Sequence, residues 1–195
     1  MKHINVLSRI FFTGCLFGAG CATTPSSRLY RLDARSETVE AQGEVVSRII
    51  RLNSVTLPGV LHQPTVITET SPVQIHSSEY DRWAESLERQ VAEVLSRNLT
   101  ALLPNAHVVR GRMHPDLKAD LEVHVEVLQL SGTLGDQARL DLRWSQSRRG
   151  EASAALHRWQ GQRTLESMDV HAYVLAQSEL LAEACQIMAK HLLSP

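Results

Sequence analysis

From Ala119 onward, polar and apolar residues alternate with a period of two. Leu121, Val123, Val125 and Val127 fall on one side, and Asp120, Glu122, His124 and Glu126 on the other. A strand with one wet face has this pattern. Gly132 to Asp136 reads as a turn, after which Leu140, Leu142 and Trp144 alternate against Arg139, Asp141 and Arg143. Arg148-Arg149-Gly150 turns again and Ala154 to Leu165 supplies another strand, so the pattern predicts a three-strand antiparallel meander. Upstream, the β-branched stretch Val45 to Leu57 predicts a strand stopped by Pro58-Gly59. Pro64 to Thr70 predicts another, with Val73 to His76 as a short continuation beyond Pro72. Arg28 to Leu32 and Ala106 to Val109 read as short strands, and Ser36 to Glu44 as a loop.

Two stretches change period. Trp83, Leu87, Val91, Val94, Leu95, Asn98 or Leu99, and Leu102 recur in steps of three and four, which is the helical spacing. Ser77 or Ser78 is the expected N-cap, with Glu79 and Asp81 in the first turn and Pro104 as the stop. A last helix is expected from Ser167, its cap, to Leu193, with Val170, Val174, Leu181, Cys185, Met188 and Leu192 on the buried side. Lys190 and His191 suit the negative end of its dipole. Together these elements predict a single α+β domain, a two-layer α/β arrangement in which two long amphipathic helices pack on a mixed, mostly antiparallel sheet of six or seven strands.

The first 21 residues follow a different logic. Lys2, His3 and Arg9 make a basic start, and Ile10 to Ala19 is uncharged and mostly apolar. Ten residues are too few to span a bilayer, which takes about 20, but they match the apolar core of a signal peptide. Gly18-Ala19-Gly20-Cys21 follows, small residues before a cysteine, as signal peptidase II requires. The expectation is therefore a signal peptide over 1–20, a lipidated Cys21 with a short linker over 21–27, and a periplasmic domain over 28–195. One acyl chain binds membranes only marginally; the three that a bacterial lipoprotein carries on its cysteine hold it there permanently. Phe12-Thr13-Gly14-Cys15 is a rival site, but it leaves about three apolar residues after Arg9. An ordinary signal peptide that contains cysteines is the other alternative. Ala22 in place of Asp after the cysteine favours sorting to the outer membrane, by analogy with bacterial lipoproteins.

Composition narrows the functional classes. The chain has 195 residues, 43% of them hydrophobic and 21% charged, enough for one domain with a real core. Loss of residues 1–20 removes Lys2 and Arg9, leaving 18 basic residues against 21 acidic ones. That balance gives no electrostatic footprint for nucleic acid and no general attraction to anionic headgroups. Cys15, Cys21 and Cys185 form neither a disulfide framework nor a metal-ligand spacing.

Candidate chemistry is sparse. Glu122, His124 and Glu126 project to one side and have the ligand types of a divalent cation, but Arg139, Asp141 and Arg143 on the next strand offer cross-strand charge pairing, the preferred reading. Ser54, Ser71 and Asp81 are the side chains that a distant histidine would need for a hydrolytic triad, and nothing in their spacing singles them out. No nucleophile elbow, phosphate loop or dinucleotide fingerprint is present. The sequence thus calls for no catalytic residue, metal or cofactor. Trp83 is read as a core residue, with a partner-facing anchor as the alternative.

The middle of the chain resembles the PqiC (YmbA) family of ABC-type transport auxiliary lipoproteins. The carrying residues are Val55-Thr56-Leu57-Pro58, Leu61 to Thr68 with Pro64 ahead of Val66-Ile67, Ser71-Pro72 with Ile75 behind it, and Tyr80-Asp81-Arg82-Trp83-Ala84-Glu85-Ser86-Leu87 running to Asn98-Leu99. Tyr30-x-Leu32 also fits. Gln63 and Ser86 depart from the family pattern, which favours a charged residue and a proline there. The resemblance implies a non-enzymatic role at the outer membrane, in partnership with an MCE-domain protein (PqiB-like) and an inner-membrane subunit (PqiA-like). It also implies carriage of lipids between membranes, support of envelope integrity and a homo-oligomeric ring.

Overall fold

The computed structural model describes residues 26–40, 48–111, 117–151 and 154–193. Cys15 and Cys21, and with them the whole signal-peptide reading, lie outside the described residues. Eight strands and two α-helices follow one another along the chain. They are β1 (Arg28–Tyr30), β2 (Arg48–Thr56), β3 (Thr65–Ser71), β4 (Gln74–Trp83), α1 (Leu87–Leu102), β5 (Ala106–Arg110), β6 (Leu121–Thr133), β7 (Gln137–Arg148), β8 (Ala155–Thr164) and α2 (Val170–Leu193). A 3-10 turn at Gly59–His62 joins β2 to β3.

The expected single α+β domain forms, and its strands are shared between two mixed sheets. The larger has the order β5-β2-β6-β7-β8 and contains the antiparallel meander β6-β7-β8. The smaller has the order β1-β4-β3. Parallel pairing occurs between β1 and β4, and between β2 and both β5 and β6. The alternation read from sequence sets the faces. Leu121, Val123, Val125, Val127, Leu140, Leu142 and Trp144 are all buried under the helices.

Each helix forms for local reasons and stays for tertiary ones. The Ser86 hydroxyl caps α1 by accepting the Arg89 N–H. Leu87, Val91, Val94, Leu95 and Leu99 then turn inward. Asp169 caps α2 by accepting the Ala172 N–H at 2.7 Å, and Ser167 donates to that same carboxylate. The α2 cap is therefore Asp169 and not Ser167. α2 packs against α1 on one side and β7 and β8 on the other. It is consequently buried around most of its circumference, including Gln177 and Ser178.

The expected start of the first helix is wrong. Residues 74–83 are strand β4, and α1 begins only at Leu87. Ser77, Ser78, Glu79, Asp81 and Trp83 therefore belong to a strand and not to a first helical turn. Tertiary pairing overrides the local cap signal: β4 pairs with β3 from Gln74 to Ser77 and at Arg82, and with β1 at Asp81–Trp83. Gly132 and Thr133, expected in a turn, continue β6.

Candidate functional site

The face of the large sheet away from the helices is polar and largely exposed. It carries the row Glu122, His124 and Glu126 on β6. The Arg51 guanidinium donates to Glu122, and the Asn53 amide donates to the same carboxylate at 2.9 Å. Arg143 donates to Glu126 at 2.7 Å across the ladder. The sequence expected all of Arg139, Asp141 and Arg143 to pair with this row, but only Arg143 does so by hydrogen bond. Asp141 is held instead by Arg158 and Gln160 of β8, and Arg139 reaches Glu69 of the small sheet at 2.9 Å. Among the described residues, no three His, Cys, Asp or Glu side chains converge as metal ligands.

Ser54 and His124 do meet, with Oγ 2.9 Å from Nδ1. The polarity of the contact runs against catalysis. The Asn53 amide nitrogen stands 3.1 Å from His124 Nε2 and also donates to Glu122. Nε2 must then accept, Nδ1 carries the proton, and the ring donates to Ser54 rather than activating it. A serine nucleophile needs the reverse arrangement. Ser71 and Asp81, the other residues considered for a triad, are elsewhere: Ser71 ends β3 and Asp81 lies near the end of β4.

Asp81 organises a different structure. Its carboxylate accepts two hydrogen bonds from Arg28, at 2.7 and 2.9 Å, and one from the Ser78 hydroxyl at 2.7 Å. Burial pushes this carboxyl up, but hydrogen bonds from Ser78, Arg28 and Tyr30, with the Arg28 charge, outweigh it and hold the group below its ordinary value. β1, the first strand among the described residues, is thereby clipped to the small sheet. Trp83 closes the same corner. The residue is 6% exposed and packed in the core, its backbone N–H donates to the Pro64 carbonyl, and the next backbone N–H, of Ala84, donates to the Tyr30 carbonyl.

The chain after β1 crosses both helices as a strap. Buried polar side chains of the helices receive its backbone. Gln90 Oε1 accepts the Leu32 N–H, Ser178 Oγ the Asp33 N–H, and Asn98 Oδ1 the N–H groups of Arg35 and Ser36. Sequence reading missed Gln90 and Ser178. The polar Asn98 inside an otherwise apolar stripe was the one available signal.

A family model described as ABC-type transport auxiliary lipoprotein component matches residues 30–189. The chain belongs to that family. It is a family of transport auxiliary lipoproteins and not an enzyme family, and as a lipoprotein the chain is anchored to a membrane of the cell envelope. No helix among the described residues is long and apolar enough to cross a membrane. The chain is 24% identical over 162 residues to the intermembrane transport lipoprotein PqiC of Escherichia coli (strain K12), a match that covers 83% of this chain and 85% of the relative. The PqiC of Shigella flexneri matches with the same identity and coverage. A crystal structure of a Xanthomonas campestris protein shares the fold with a TM-score of 0.71 at 14% identity, covering 86% of this chain and 95% of that one. A second crystal structure, of an uncharacterized protein, gives a TM-score of 0.72 at 18% identity over 86% of this chain and 99% of that one.

Proposed function

We propose that this chain is the outer-membrane-anchored lipoprotein subunit of an intermembrane lipid transport system, held by acyl chains on Cys21. In this reading residues 1–20 are removed, residues 21–27 form a lipidated linker, and the domain works in the periplasm. It docks an MCE-domain protein (PqiB-like), whose inner-membrane partner is PqiA-like, and several copies form a ring around the docked protein. The observation that carries the reading is the extent of the family match. It covers the folded domain from Tyr30 to Ala189, and a cysteine preceded by Gly18-Ala19-Gly20 stands shortly before it. The open polar sheet face, whose charged groups are paired with one another, supports an adaptor role.

Two measurements test this. Radiolabelled palmitate is expected to enter the wild-type protein and not the Cys21→Ser variant. The lipoprotein is then expected to co-purify with an MCE-domain protein from membranes. Equal labelling of the two forms overturns the anchor, and failure to retain any MCE protein overturns the docking role.

A second reading, direct lipid binding, has one observation in its favour. An apolar recess of about 440 Å³ lies between the ends of the helices and the sheet, lined by Ile50, Leu102, Leu103, Ala106, Leu192 and Leu193. That volume is within the range of small-molecule sites. Native mass spectrometry checks it: bound lipid in repeated preparations supports the reading, and a clean apo spectrum removes it.

A further inference from the structure

The hairpin formed by β3 and β4 packs on the domain through Val66, Ile67 and Thr68, and its end beyond Glu69 stands clear. Gln74 to Ser77 are exposed on both faces of β4, and burial begins only toward Asp81 and Trp83. The connection is two residues long, Pro72-Val73, with Ser71 opposite Gln74. Val73 is 95% exposed, and beside the hairpin Ile75 and Val60 are 52% and 41% exposed. Ile75 and Val60 line one recess, so the apolar side chains are neighbours. From Thr70 to Ser78 the sequence holds no Asp, Glu, Lys or Arg, and His76 is its one titratable side chain.

The register of β1 says which way this tip points relative to the anchor. β1 runs parallel to β4, with Arg28 opposite Asp81. Seven positions separate Cys21 from Arg28, and seven separate Gln74 from Asp81. At about 3.3 Å per residue a linker of seven residues reaches at most about 23 Å, and β4 covers no more than that from Gln74 to Asp81, because its pairing with β3 is bulged between Ser77 and Arg82. Because the strands are parallel, the chain that precedes Arg28 comes from the side on which Gln74 and the hairpin tip lie.

We propose that the Pro72-Val73 tip is a second membrane contact, seated in the same lipid surface that holds the acyl chains of Cys21. The inference rests on the Cys21 anchor of the proposed function. Lipid is the occupant because a linker of this length reaches far enough to set the bilayer at the level of the tip. An uncharged, apolar turn enters a headgroup layer without desolvating a fixed charge. The acidic balance of the mature chain supplies no electrostatic attraction, so apolar side chains must make the contact. Two attachments, one covalent and one through the hairpin, fix the tilt of the domain on its membrane, which a single flexible linker does not.

The test uses the full lipoprotein. Cys185 is buried and Cys21 is occupied by lipid, so a thiol-reactive nitrobenzoxadiazole goes to an introduced cysteine. The label is placed in Val73→Cys and, as a control, in Leu156→Cys. Leu156 is 67% exposed on β8. Each protein is reconstituted in vesicles of phosphatidylethanolamine with a minority of phosphatidylglycerol and recovered by flotation. At position 73 the emission is expected to shift to the blue and to lose most of its intensity when brominated lipids are used, while position 156 does neither. A label at 73 that stays in water on floated protein overturns the contact and leaves the anchor standing. Shielding at 73 without quenching by brominated lipid assigns the tip to a protein interface and also overturns it. Protein that fails to float overturns the anchor and this inference together.

Discussion

Arg28 grips both oxygens of Asp81, with Nε 2.7 Å from Oδ1 and Nη2 2.9 Å from Oδ2. This pair stands at the first strand of the described residues, where the linker of the proposed function would join the folded domain. If Cys21 carries the anchor as proposed, a pull on it reaches the core through β1, whose pairing with β4 covers three residues. Three ladder positions hold little on their own, so the charged clip supplies much of the grip. The guanidinium is exposed while the carboxylate is almost wholly buried. The stakes are therefore on the Asp81 side, since a buried carboxylate without partners is costly.

Asp81→Asn is expected to destabilise the domain by about 1–2 kcal/mol at neutral pH, by weakening charge-assisted hydrogen bonds. The sign of the pH dependence follows from the lowered folded value. Relative to an ordinary carboxyl near 3.8, the contribution is complete above that pH and is lost as pH falls through the folded value beneath it. Urea unfolding of both proteins checks this. The difference in midpoint should persist at neutral pH and shrink under strong acid. A difference independent of pH would assign the effect to packing.

Asn98 supports the strap from the other side. It is fully buried, and its Oδ1 accepts two N–H groups, from Arg35 and Ser36, each at 2.9 Å. Asn98→Ala leaves both donors without a partner and is expected to cost about 2–3 kcal/mol. Hydrogen exchange gives the local signature, faster exchange at Arg35 and Ser36 before any change in β6 or β7. Uniform acceleration across the domain would show that the strap has no separate stability.

Gly132 allows the close approach of β7. A Cβ there would stand 2.5 Å from the Gln137 carbonyl oxygen and 2.9 Å from the Ala138 Cα, both backbone atoms. Backbone cannot move aside as a side-chain end does, so Gly132→Ala is expected to cost about 1–3 kcal/mol. For a domain of this size that lowers the melting temperature by roughly 2–12 °C. Gly150 is the comparison: open space surrounds its Cβ position, and only its positive φ of 86° opposes a side chain. Gly150→Ala should therefore melt closer to the wild type, by about 1 kcal/mol of backbone strain. Equal losses at the two positions would remove the steric explanation.

The parts of this fold visible in sequence are those governed by period. The β6-β7-β8 meander was legible because each strand has one wet face, and the alternation from Leu121 to Trp144 marks it. The body of α1 was legible from Leu87 to Leu102 for the same reason. Its beginning was not. Ser78 has the chemistry of an N-cap, but here its hydroxyl donates to Asp81 and accepts the Asp81 N–H. That is a local motif inside a strand, and only the pairing of β4 with β3 on one edge and, at Asp81–Trp83, with β1 on the other distinguishes the two outcomes. The division into two sheets was hidden too, since parallel pairing of β1 with β4 joins segments 53 positions apart. For function, the polar row on β6 was read correctly as charge pairing, but two of its three expected partners lie elsewhere. The Arg28–Asp81 clip and the helix side chains that hold the strap had no sequence signal beyond Asn98.

A last prediction concerns acid. His157 of β8 stacks on Trp144 at a centroid distance of 5.2 Å, and His191 of α2 stands 4.2 Å from His157 and edge-on to Trp144 at 5.7 Å. The Nε2 of His157 is buried with no hydrogen-bond partner in the protein. Burial, and then the neighbouring His191, push its titration below the ordinary value near 6.5. Trp144 faces it from β7 and His191 from α2, and neither favours the charged ring. The unfolded chain therefore binds a proton that the folded one resists, and stability rises with pH across this window. It is complete above about pH 6.5 and declines as pH falls from there toward the folded value, with no further loss from this group below it. Because the three rings join the end of α2 to the sheet, the loss is expected first in the last turns of that helix. Melting temperatures of wild type and His157→Phe between about pH 7 and about pH 5.5 test this. Phenylalanine keeps the stack and removes the titration, so the variant should lose less stability on acidification. Parallel curves for the two proteins would show that other histidines carry the acid sensitivity.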